Sequence, residues 1–113
     1  MKSSKIIDIF KDGNITIPLY LLKNFNSFNV EYNEFIFLMY LYNKGNNWIF
    51  NPEVINSDLG LDTVEIMSLI SSLSDKGIIK VDVKENEKGF MEDIICLDDF
   101  YNKIKLRVID EVS

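Results

Sequence analysis

Histidine does not occur in the 113 residues of this chain. That excludes Ser-His-Asp and Cys-His catalysis, histidine-ligated zinc and a histidine pH switch. One cysteine, Cys96, leaves no intramolecular disulfide. Its setting, "DIICLDD", reads as a buried strand running into an acidic cap, the place of an inert core thiol. The five glycines are scattered and form no phosphate-cradling loop. The longest apolar run, "FIFLMYLY" at Phe35–Tyr42, is far short of the roughly 18–20 residues that span a bilayer. The opening "MKSSKIIDIF" has no apolar stretch of signal-peptide length, so a cytoplasmic protein without membrane contact is expected.

Positive charge is also scarce. Lys and Arg number 12 against 18 Asp and Glu, for a net charge of −6 and a pI near 4.6. The basic footprint of a nucleic-acid binder is missing. The acidic neighbours Asp98–Asp99 and Glu92–Asp93 suit a helix cap and a solvated strand end better than acid–base work. The expectation is no enzyme, no cofactor and no metal.

Apolar residues are plentiful, at 47%, enough for one domain over 1–113 with a core of its own. Ile6, Ile9 and Phe10 recur at i, i+3, i+4 before Gly13, the mark of a short amphipathic helix. "NITIP" follows as a short strand with Ile15 and Ile17 on one side, closed by Pro18. A second helix then carries Leu19, Leu22 and Phe25. The next, about Glu31–Asn43, ends at Lys44-Gly45 and is apolar all round. Phe35, Leu38, Met39 and Tyr42 should face its core, leaving Ile36, Phe37, Tyr40 and Leu41 to fill the other sides as an apolar surplus.

A short strand, Trp48–Phe50, leads to Asn51 as N-cap and Pro52 at the first helical position, with Val54, Ile55 and Leu59 inward. Asp62 and Glu65 form an acidic capping box for a helix running to Lys76, with Gly77 behind it. Ile66, Leu69, Ile70 and Leu73 are its buried stripe. "GIIKVDVKENEKGFMEDIICL" is a β-hairpin, with Ile79, Val81 and Val83 on one side of its first arm. A last helix from Asp98 or Asp99 lines up Phe100, Ile104 and Val108.

This order predicts an α+β fold, mostly α: a winged helix-turn-helix over 29–97, preceded by a helix–strand–helix extension over 1–28 and followed by a C-terminal helix over 98–113. The reading helix of such a fold would show DNA the face opposite its buried stripe, here Val64, Ser68, Ser71 and Asp75. None is Arg, Lys, Asn or Gln, the usual readers of base edges. Lysines of the hairpin are outnumbered by its carboxylates. Strong DNA binding by this chain is disfavoured, and a dimeric winged-helix transcription regulator stands as the alternative function.

Three segments, "IIDIFKDGNITIPLYLLKNF", "FNVEYNEFIFLMYLYNKGNNWIFNPEVINSDLGLDTVEIMSLISSLSDKGIIKV" and "DIICLDDFYNKI", resemble the N-terminal domain of the DnaD family. Its members are primosomal replication-initiation proteins of low-GC Gram-positive bacteria and their phages. The helix–strand–helix joined through "ITIP" is the distinctive part. The resemblance implies a domain that self-associates into dimers or larger assemblies and meets the initiator or the helicase-loading machinery. DNA would be bound weakly here, or through a separate C-terminal domain that these residues do not include. The chain would then be a fragment, or a short phage or plasmid relative. The expected self-association residues are Ile6, Ile9 and Phe10 on the first helix, Ile15 and Ile17 on the strand, and Phe37, Tyr40 and Leu41 on the long helix.

Overall fold

The computed structural model describes residues 3–112. Along the chain lie α1 (Ser3–Lys11), α2 (Leu19–Asn24), a 3-10 turn (Phe25–Phe28), α3 (Tyr32–Lys44), β1 (Trp48–Ile49), α4 (Pro52–Leu59), α5 (Thr63–Asp75), β2 (Lys80–Glu85), β3 (Met91–Cys96) and α6 (Asp98–Val112). The three strands form one antiparallel sheet in the order β1-β3-β2. The fold is a mostly helical α+β arrangement around α3.

Helix α3 starts on a reciprocal cap. The Glu31 side chain accepts from the backbone of Glu34, and the Glu31 N–H donates to Glu34 Oε1 at 3.0 Å. Gly45, at φ 96°, ends the helix. Six apolar side chains of α3 are buried: Phe35, Phe37, Leu38, Met39, Tyr40 and Leu41. This corrects the expectation of an apolar surplus at Phe37, Tyr40 and Leu41, because the chain's own elements enclose all three; of the expected surplus only Ile36 stays exposed. Phe25 stacks on Phe35 with ring centroids 4.7 Å apart and tilts against Tyr32 at 5.0 Å. Leu21, Val30, Ile55, Ile66, Ile70, Leu73, Ile95, Leu97 and Phe100 join the same core.

Of the apolar residues read on the second helix, Phe25 is buried and Leu19 and Leu22 are not. Leu21, at i−4 from Phe25, is buried as well. Helix α4 is capped as predicted, with Asn51 Oδ1 accepting from Glu53 and Val54 N–H at 3.1 and 3.3 Å. Ile55 is buried, but Leu59 at its end is not. Asp62 caps α5 by accepting from Glu65 N–H at 2.8 Å, and Ile66, Ile70 and Leu73 are buried as the spacing requires.

Residues 15–17 are not a strand. Their extended backbone is latched by Asn43: its Oδ1 accepts from Thr16 N–H at 2.9 Å, and its Nδ2 donates to the Thr16 carbonyl at 2.9 Å. One side-chain amide thus satisfies both backbone groups that a neighbouring strand would have paired. In the sheet, β1 pairs only with Ile94 and Ile95 of β3. The hairpin extends past β1, and Val81 and Val83, on the same side of the first arm as the buried Ile79, are exposed. Along α6 burial fades, from Phe100 fully enclosed through Ile104 at the core's edge to Val108 exposed.

Leu73 has no accessible surface. Leu73→Ala is expected to cost about 2–5 kcal/mol, read as a lower urea midpoint at unchanged slope. A loss under about 1 kcal/mol would show that α5 does not seat on this core.

Candidate association surface

Every side chain from Ile6 to Thr16 is exposed. On α1 the apolar residues Ile6, Ile7, Ile9 and Phe10 cover an arc of roughly 160°, and Phe10 keeps 72% of its surface in water. Single exposed apolar residues are ordinary, but a contiguous apolar helix face is not. Ile15, Leu19 and Leu22 extend the exposed apolar surface along the following segment, while Ile17 is half-buried against the core. The chain is correspondingly extended. Its radius of gyration is 16.3 Å, where a compact domain of this length has roughly 13 Å.

The outer face of α5 carries Val64, Ser68, Ser71 and Asp75, all exposed, with Val64 78% accessible. No cation interrupts it. Lys76, at the end of α5, turns inward and donates to Glu34 Oε1 at 2.6 Å. Ser72 Oγ donates to the other oxygen of the same buried carboxylate. Burial pushes the Glu34 carboxyl up, but the hydrogen bonds from Lys76, Ser72 and the Glu31 N–H outweigh it and hold the group below its ordinary value. The pattern Glu31-x-x-Glu34 was the available signal for this site, and sequence reasoning passed over it.

Tyr40 has an internal task too. Its hydroxyl donates to Asp58 Oδ2 at 2.6 Å, tying α3 to the end of α4. Lys44 Nζ lies 3.3 Å from the same carboxylate, 5.2 Å from the centre of the Tyr40 ring and 5.6 Å from that of Trp48. Burial, then the Asp58 hydrogen bond and charge, push the Tyr40 phenol far up, while that hydrogen bond and Lys44 hold Asp58 down. Of the eight residues expected to self-associate, Ile6, Ile9, Phe10 and Ile15 are thus exposed together; Phe37, Tyr40 and Leu41 are enclosed. Among the described residues, no three His, Cys, Asp or Glu side chains are grouped to hold a metal, and no helix is long and apolar enough to cross a membrane.

The model of the DnaD N-terminal domain family matches residues 17–112, and the chain belongs to that family. The crystal structure of the N-terminal domain of the DnaD protein from Geobacillus kaustophilus HTA426 superposes with a TM-score of 0.67 at 18% identity, covering 98% of this chain and 94% of that one. The two share a fold. No curated protein matches the chain by sequence.

Removing Lys76 would strand a buried carboxylate. Lys76 keeps a quarter of its side chain in solvent, so Lys76→Met is expected to cost about 1–3 kcal/mol rather than the full penalty of a dry pair. The folded Glu34 carboxyl titrates below its ordinary value, so the stabilisation from its ionised form is complete above the ordinary carboxyl range. It is lost as pH falls through the depressed folded value. Denaturant melts of wild type and Glu34→Gln should therefore differ most above about pH 5 and converge on acidification. A gap that widened toward acid would contradict the clamp.

Proposed function

We propose that this chain is a non-catalytic oligomerisation and protein-interaction domain of a DnaD-like replication-initiation protein, acting in primosome assembly and helicase loading. Its architecture is read as a winged helix over 29–97: α3, α4 and α5 are the three helices, β1 closes the sheet, and β2–β3 is the wing. Residues 1–28 are the extension and 98–113 the added C-terminal helix. Its partners are further copies of itself and proteins of the initiation machinery.

The observation that carries this proposal is the exposed face of α1. Each fully buried Ile or Phe gains about 1.5–3 kcal/mol, so a partner covering Ile6, Ile9 and Phe10 gains several. The outer face of α5, which carries no cation and one aspartate, supports the same division of labour. A helix that releases few counterions from DNA contributes little affinity for it. Val64, Ser68, Ser71 and Asp75 then form a surface for a protein, with small serines allowing close approach.

Light scattering at micromolar concentration should give a dimer or a larger assembly. Phe10→Glu should shift it toward monomer, whereas Lys103→Glu should leave it in place; equal effects would mean the interface lies elsewhere. A mobility-shift assay at low salt should show weak, non-selective DNA binding. Tight sequence-selective binding would instead favour the transcription regulator.

A further inference from the structure

We infer that the second half of α6 is a hinged arm, held to α2 by a clasp of Tyr20, Arg107 and Glu111 and able to swing free while the core stays folded. The first half of the helix is fixed. Leu97 N–H donates to Asn46 Oδ1 at 2.7 Å, and Asn46 Nδ2 donates to Asp98 Oδ1 at 2.7 Å. Phe100 is enclosed and makes a T-shaped contact with Phe28, their ring centroids 6.1 Å apart. Ile104 is the last apolar side chain of α6 packed on the core.

From Leu106 onward apolar packing does not hold the helix. Leu106, Val108 and Ile109 are all exposed. Here α6 stands off the 3-10 turn across an open cavity of about 560 Å³, with Phe28 and Asn29 on one side and Lys103, Leu106 and Arg107 on the other. Attachment returns about 16 Å beyond Phe100, at 1.5 Å per residue, and it is polar. The Tyr20 hydroxyl donates to Glu111 Oε1 at 3.1 Å, across 91 residues of chain. Arg107, one turn before Glu111, brings its Nε within 3.5 Å of the same oxygen. The clasp is incomplete even when closed, because Arg107 Nε is buried and has no hydrogen-bond acceptor among the described residues. Partly exposed ion pairs contribute little, and an unsatisfied buried donor costs free energy. Closed and open arms therefore lie close together in free energy, as in other local openings of a folded chain. Helix α2 also presents Leu19 and Leu22 to solvent, so a contact made there acts on the same six-residue helix that holds the clasp.

Hydrogen–deuterium exchange of the full chain, followed amide by amide, tests the arm. In wild type the amides of Ile109–Val112 should be protected. Tyr20→Phe removes only the hydroxyl and should speed their exchange about five- to ten-fold, the weight of one partly exposed hydrogen bond. The amides of Tyr101–Ile104 and the urea midpoint should stay where they are. Glu111→Ala should loosen the same amides, and the Tyr20→Phe/Glu111→Ala double variant should exchange no faster than Glu111→Ala, since both changes remove one contact. Asp110→Asn, beside the clasp but outside it, should leave the arm protected; an equal effect there would place the attachment elsewhere and overturn the proposal. Unchanged exchange in Tyr20→Phe, or unprotected Ile109–Val112 amides in wild type, would show only the fraying common to chain ends and overturn it as well. Loosening along all of α6 with a lower urea midpoint would do the same, by making the helix one unit with the core.

Discussion

The fold depends on covering a helix that has almost no side fit for water. Six apolar residues and one carboxylate of α3 are buried, so neighbours are needed nearly all round. The chain supplies them from both directions: α2 and the 3-10 turn come back over the N-terminal half through Phe25, and α4, α5, the sheet and α6 contribute Ile55, Ile66, Leu73, Ile95 and Phe100. With most of α3 enclosed by the chain's own elements, exposed apolar surface is found on α1 and the outer side of α2, and on α3 itself only at Tyr32 and Ile36.

The same demand shapes the charge of the outside. Glu34 caps the start of α3 and is buried there, and an ionised carboxylate in that position needs a cation and hydrogen bonds. Lys76 and Ser72 provide them from α5. Helix α5 has no lysine or arginine between Thr63 and Asp75, so committing Lys76 inward leaves its outer face with serines, Val64 and one aspartate. The lack of positive charge on a face that a DNA-reading helix would arm thus follows partly from a packing requirement on the opposite side.

Features set by neighbouring residues were legible from the sequence: the caps at Asn51 and Asp62, the stripe Ile66–Ile70–Leu73, and the hairpin. Features set by distant partners were not. Ile15 and Ile17 alternate as a strand does, yet the backbone of Thr16 between them is held by Asn43, 27 residues away, an interaction with no local signature. In α2 the pairs Leu19/Leu22 and Leu21/Phe25 both have helical spacing, and only the position of Phe35 decides which turns inward. For Phe37, Tyr40 and Leu41 the all-round apolar pattern required a cover but could not say whether it came from the same chain. The exposed face of α1 was legible, since an i, i+3, i+4 stripe so near the chain's start has few local neighbours to bury it.

Helix length gives the association proposal a further physical basis. An isolated helix shorter than about 12–15 residues is marginal in water even with favourable composition, and α1 has nine. Its composition is not favourable: three isoleucines and a phenylalanine lose side-chain freedom against the preceding turn. Helices of this size persist by packing an apolar face, and the family match, which begins at Ile17, and the described core both lie beyond α1. What would hold α1 helical is therefore the same contact that would dry Ile6, Ile9 and Phe10. Folding of this segment and assembly of the protein then become one step, and α1 should be ordered only to the extent that its partner is bound.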